Sequence, residues 1–204
     1  MSTETARASA SLRDPILRKA RESARVKEKF FEKEAERIEE CCRVLARALD
    51  DGGHLFVMGN GGSACDAQHL AVEFLHPVVA KRKAFPATAL VNDVAAMTAI
   101  GNDEDFALAF VEPLRLYARP GDVAVGISTS GQSSNVNRAL VSAREMGLMT
   151  IGIAGRDGGR MKEHCDFCFV VPSFSIHRIQ ETQETLLHMI WDLVHVIRGE
   201  EDVL

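Results

Sequence analysis

The chain has 204 residues, a net charge of −5, 46% hydrophobic and 26% charged residues. That length suits one α/β domain with a full core and an added helical layer, and the composition is that of an ordinary soluble domain. The acidic balance excludes a general attraction to nucleic acid or to anionic membrane, and no run approaches the ~18 apolar residues that a membrane span requires.

Met1–Arg13 is rich in Ser, Thr and Ala and carries no apolar h-region, so it reads as a loose tail rather than a secretory signal, in a cytoplasmic protein. The five cysteines are then expected to be reduced thiols. Asp14-Pro15 provides an N-cap and a proline at the first helical position. The helical region runs from there to about Leu49 and ends at Asp51-Gly52-Gly53. Phe31, Ala35, Ile38, Cys42, Leu45 and Leu49 form a heptad-like seam with charged flanks. This pattern serves a single amphipathic helix on its own core or a seam between subunits equally well.

From residue 55 onward, strand and helix signals alternate. Strands are expected at Leu55–Met58, Pro86–Leu90, Val123–Ile127, Thr150–Ala154 and Cys168–Val171. Helices fall between them at Ser63–His76, Val94–Ile100 with Asp105–Tyr117, and Ser133–Met146, and a last one spans Ile176–Arg198 before Gly199. Near-continuous apolar strands alternating with helices mean a parallel sheet covered on both faces, in one domain. Cys165-Asp166-Phe167-Cys168 is formally a CxxC, yet it leads into a strand and no second pair completes a four-cysteine zinc site. Packing is the expected role of that pair, as of Cys41 and Cys42.

Two loops carry the chemistry. Gly59-Asn60-Gly61-Gly62-Ser63 joins the first strand to a helix, and free N–H groups at the positive end of that helix make an anion site. Further along the helix stand His69 and Glu73, whose i, i+4 spacing puts imidazole and carboxylate on one face. The central strand runs into Ser128-Thr129-Ser130-Gly131-Gln132-Ser133-Ser134. Five hydroxyls in that loop exceed what a helix cap needs, and such loops sit where parallel sheets bind ligands. The last helix has an apolar stripe of Ile179, Leu186, Ile190, Leu193 and Ile197, which leaves Gln180, Glu184 and His188 on another face.

Gly59-Asn-Gly-Gly-Ser…Cys-Asp-Ala…His…Glu73, Gly101-Asn102-Asp103, Gly126–Ser133, Gly155-Arg-Asp-Gly-Gly159 and Arg178-Ile-Gln-Glu181…His188 occur in this order. Together they resemble the phosphoheptose isomerase family of the sugar-isomerase (SIS) fold, over nearly the whole chain. The resemblance implies a three-layer, doubly wound, flavodoxin-like fold with a five-stranded parallel sheet. It also implies a homotetramer built through helices at both chain ends, residues 14–50 among them, with active sites at subunit interfaces. That favours the intersubunit reading of the seam. A divalent metal, usually zinc, would be held by His69, Glu73, Gln180 and His188. Substrate phosphate and sugar would meet Asn60, Gly61, Gly62, Ser63, Ser128, Thr129, Ser130 and Ser133, with Asn102 and Asp103 nearby. Glu73 and His188 would be the acid/base pair of a ketose–aldose isomerisation of sedoheptulose 7-phosphate, feeding nucleotide-activated heptose synthesis.

The chain departs from the family pattern at His76-Pro77, where Gly-Arg is usual, and at Gln183, where a histidine is common. These positions bear on sugar specificity. Gln180 and His188 are eight residues apart, ~12 Å along an ideal helix. They share one metal only if Gln180 sits at an irregular helix start or if they serve sites across an interface; Glu184 is the geometric competitor. Two other readings stay open: an SIS enzyme or sensor for another sugar phosphate, and a non-catalytic relative that regulates replication initiation.

Overall fold

A computed structural model describes residues 11–79 and 82–202, so the expected tail lies almost wholly outside the described residues. The elements are α1 (Arg13–Asp50), β1 (Leu55–Gly59), α2 (Gly62–Leu75), β2 (Ala87–Ala89), α3 (Val94–Ile100), α4 (Val111–Tyr117), β3 (Val123–Ser128), α5 (Ser134–Glu145), β4 (Met149–Gly155), β5 (Phe167–Val171) and α6 (Ile176–Ile197). All five strands run parallel in the order β2-β1-β3-β4-β5. Every residue of β1 and β3 is buried, which is why both read as unbroken apolar runs. Helices α1, α2 and α6 pack together on one face of the sheet and α3–α5 on the other. No described helix is long and apolar enough to cross a membrane.

The chain leaves β1 in one direction and returns to its other side as β3. The C-terminal ends of β1 and β3 therefore flank a switch point, and both glycine- and serine-rich loops open there. Asn60, just past β1, and Asn135, in the first turn of α5, exchange two amide hydrogen bonds of 2.8 Å across it. Asn135 is buried, and this reciprocal pair satisfies both side chains while fixing the spacing of the loops.

Two expectations change. Asp105–Tyr117 is not one helix: Gly101–Asp105 forms a π-helical turn, Phe106–Leu108 a short 3₁₀ turn, and only Val111–Tyr117 is α-helical. Asp105 breaks the run because its side chain accepts from the Ala107 amide, an alternative to helical pairing. The N-terminal seam is also not left for a partner. Ile38, Cys42, Leu45 and Leu49 are buried within the subunit, where α1 packs along α6 and β5. The buried stripe takes in Phe30, Glu34, Cys41 and Ala46, while Phe31 is half-buried and Ala35 exposed. The large apolar residues that stay exposed here are Ile16, in the first turn of α1, and Leu12, just before it.

A charge at Ile38 is thus expected to destabilise the fold itself. Ile38→Asp should lower the unfolding free energy by about 3 kcal/mol or more, since it buries an unpaired carboxylate. Urea denaturation would read this, and an unchanged midpoint would contradict the intrachain packing.

Candidate active site

The first wall of the site is the N-terminal end of α2. Gly61 precedes the helix with a left-handed φ of 58°, and no side chain caps the first turn. The Ser63 and Ala64 amides donate to the Asn60 and Gly61 carbonyls, which leaves the Gly61 and Gly62 amides at the positive pole of the helix. Gly59 and Gly62 are set by close approach. A Cβ at Gly59 would lie 2.3 Å from the Ser63 carbonyl oxygen, and one at Gly62 would lie 2.1 Å from Gln180 Nε2. Gln180 is thus placed against the mouth of this loop.

The second wall follows β3. Ser128 Oγ lies 2.8 Å from Ser133 Oγ and 3.5 Å from Ser130 Oγ. Ser133 occupies the N-cap position of α5 but makes no side-chain cap bond, so its hydroxyl is spent inside the loop rather than on the helix. Ser128 is buried, and Thr129, Ser130 and Ser133 are half-buried. Gly131 takes a φ of 65°, and a Cβ there would come within 2.0 Å of the Gly158 carbonyl oxygen. The Gly155–Gly159 motif is therefore a buttress: its backbone presses on the serine loop, and the Met161 amide donates to the Gly131 carbonyl.

Between these loops and the lower half of the sheet, α2 and α6 bring four titratable side chains together. His69 Nε2 lies 3.1 Å from Glu73 Oε1 and 3.2 Å from His188 Nε2, and His69 Nδ1 lies 2.5 Å from Glu184 Oε1. The two imidazoles stand edge to face. Donor atoms of His69, Glu184 and His188 all fall within 4.8 Å of one another, and all three residues are half-buried. One turn above, burial and the nearby Glu184 carboxylate push the Asp66 carboxyl up to about 6, against the pull of His69. Asp66 Oδ2 is buried without a hydrogen-bond partner among the described residues.

The expected residues thus fall into three places. His69, Glu73 and His188 converge. Asn60, Gly61, Gly62, Ser63, Ser128, Thr129, Ser130 and Ser133 line the switch point, with Gln180 beside Gly62. Asn102 and Asp103 are exposed in the π-turn and bond to each other at 2.7 Å. Helix α6 is regular through Gln180, so the glutamine stands two turns above His188, and Glu184 is the α6 side chain between them. Arg178 and Glu181 of the last motif have structural work: Arg178 bonds to Glu181 and to the Lys19 carbonyl, and Ser23 donates to Glu181, tying α6 to α1. Gln183 is fully buried and donates to the Ile153 carbonyl, away from solvent. Asp66, part of the Cys-Asp-Ala motif, and Asn135 were not expected in the site; the one-turn spacing of Asp66 to His69 signals its place, whereas Asn135 carried no signal.

This geometry agrees with the likeness to known proteins. An SIS-domain family model matches residues 20–155. A phosphoheptose isomerase of Thermodesulfovibrio yellowstonii is 40% identical over 93% of this chain and 94% of its own length. One of Geobacter sulfurreducens is 45% identical over 89% and 96%. The structure of a phosphoheptose isomerase from Neisseria gonorrhoeae superimposes with a TM-score of 0.84 at 35% identity, covering 93% of this chain and all of that one. Identity at this level over most of both chains places the chain in the phosphoheptose isomerase family of SIS-domain proteins.

Proposed function

We propose that this chain is a cytoplasmic ketose–aldose isomerase that interconverts sedoheptulose 7-phosphate and the manno-configured heptose 7-phosphate, supplying nucleotide-activated heptose synthesis. The carrying observation is a carboxylate and an imidazole, Glu73 and His188, both in contact with His69 and set below two loops of anion-binding character. The Gly61 and Gly62 amides at the start of α2 and the hydroxyls of Ser128, Thr129, Ser130 and Ser133 hold the phosphate, so that binding energy from the far end of the sugar orients the reacting carbons. Glu73 takes the proton from C1 and returns it to C2, while His188 moves the proton between the two oxygens of the enediol. His69, in contact with both, keeps them in register. Retention of Glu73 and His188 supports an enzyme over a non-catalytic relative.

The donor set also fits a divalent cation, most naturally zinc. Two imidazoles and a carboxylate meet with their donor atoms turned toward one another. His69, His188 and Glu184 would hold it, with Glu73 beside them and Gln180 facing the loop at Gly62. When bound, such an ion polarises the substrate carbonyl and steadies negative charge on the enediolate oxygen. Metal analysis of the purified protein should find about one ion per subunit. His69→Ala and His188→Ala should lose most of it, Glu184→Gln a large part, and Gln180→Ala little. Full occupancy in both histidine variants would remove the shared site.

We also infer a homotetramer in which a second subunit closes the site. The helices that carry the cluster expose Val72, Leu75 and Met189 beside it, a distribution that suits contact with another copy. Light scattering at micromolar concentration should report four subunits, and a monomer would end this reading.

For the chemistry, Glu73→Gln should keep substrate affinity while losing ~10²–10⁴-fold in turnover, the usual contribution of a general acid–base group. Ser130→Ala should instead raise KM and leave kcat nearly intact. Turnover of sedoheptulose 7-phosphate followed by NMR, with H/D exchange at C1 and C2, separates the outcomes. Full activity in Glu73→Gln would show that the base is wrong. Exchange with another sugar phosphate alone would change the substrate and keep the reaction.

A further inference from the structure

The CxxC pair, assigned only to packing above, has a distinctive setting at the outer edge of the sheet. Gly152 of β4 is the register partner of Cys168 in β5, and paired residues of neighbouring strands present their side chains to the same face. Gly152 offers none, and the space is filled from elsewhere: a Cβ there would lie 2.7 Å from Cys165 Sγ. The Cys165 sulfur therefore sits over Gly152, beside the position that Cys168 occupies on the same face of the neighbouring strand. Cys168 also lines a surface cavity of about 480 Å³ together with four basic residues, Lys33, Arg37, Arg156 and Lys162, and two acidic ones, Glu34 and Asp157. Arg37 reaches over the strand edge to donate to the Cys168 carbonyl at 3.0 Å.

We propose that Cys165 and Cys168 are a redox-active dithiol that closes to an intrachain disulfide when a hydroperoxide enters the cavity at Cys168. Cys168 is the thiol that lines the cavity, so it is the one a peroxide meets and the nucleophile; the adjoining Cys165 thiol, with Arg37 and Lys162 nearby, holds it below its ordinary range against burial and Glu34. Its thiolate attacks one peroxide oxygen, the O–O bond breaks, hydroxide leaves, and Cys168 becomes a sulfenic acid. Cys165 sulfur then attacks Cys168 sulfur; the S–O bond breaks, and the departing hydroxide takes the Cys165 proton as water. Two thiols and one hydrogen peroxide yield one disulfide and two waters. Cys41 and Cys42 serve as internal controls, since burial pushes both thiols up, Cys42 to about 12. Cys65 is exposed and reports whether oxidant was present.

The test is peptide mapping by differential alkylation of the whole protein before and after hydrogen peroxide. The expected result is a Cys165–Cys168 disulfide that reverses with dithiothreitol, while Cys41 and Cys42 stay reduced. Cys165→Ser should halt at a sulfenic acid on Cys168 that dimedone traps, with Cys165→Ala as a second variant should serine disturb the packing. If both thiols of the wild type remain free to alkylate while Cys65 is fully oxidised, the proposal is overturned. It is overturned equally if Cys168 pairs with any thiol other than Cys165.

Discussion

The site depends on two helices, α2 and α6, lying parallel and in step. Gly62 meets Gln180, Asp66 meets Glu184, and His69 meets Glu184 and His188. Each successive contact is about one turn further down both helices. In-step packing of this kind needs close approach at the top, and the absence of a side chain at Gly62 allows it, because Gln180 fills that space. The apolar half of α2, with Ala67, Leu70, Ala71 and Phe74 buried, faces the sheet, and the polar half faces α6. Amphipathicity here separates structure from chemistry along one helix.

Holding polar groups between helices is costly unless each finds a partner. The cluster answers this with mutual contacts: His69 uses both ring nitrogens, one on Glu184, the other facing Glu73 and His188. Below it the same seam is closed by a buried ion pair, Arg82 on Asp192, at 2.5 Å. The guanidinium also lies over the Trp191 ring, 4.5 Å from its centroid, and reaches the Glu201 carbonyl. Such a pair adds little net stability over an apolar substitute, but loss of one partner leaves a buried charge worth roughly 3–5 kcal/mol. Its role is to pin the exit of α6 to the segment that follows α2, one turn below His188.

Much of this was legible in the sequence, for identifiable reasons. The strands were read nearly to the residue because a parallel sheet covered on both faces leaves no polar alternation to confuse them. Both loops were legible because glycine and serine are needed there by contact. What escaped was set by tertiary partners. The seam of α1 looked available to another subunit because periodicity records that a face is apolar and says nothing of what covers it; α6 and β5 do. Asn135 could not be singled out, since its worth lies in Asn60 across the switch point, 75 residues away. Gln183 looked like a pocket position and proved to be a core hydrogen bond to Ile153, so the departure there is a matter of packing.

The disposition of α6 also suits the two parts, binding and chemistry, that the proposed function gives it. Gln180 and His188 are eight residues apart, and a regular helix makes that ~12 Å of separation. Gln180 stands at the mouth of the glycine loop and His188 beside His69, so in the proposed reaction the helix would set the distance from phosphate to reacting carbons. In the proposed reaction a sugar phosphate too short for that span would bind at the loops and leave its carbonyl out of reach of the base. Such selection by length needs no side chain that recognises each hydroxyl. It requires only that α2 and α6 stay in step, which returns the specificity of the site to the packing at Gly62.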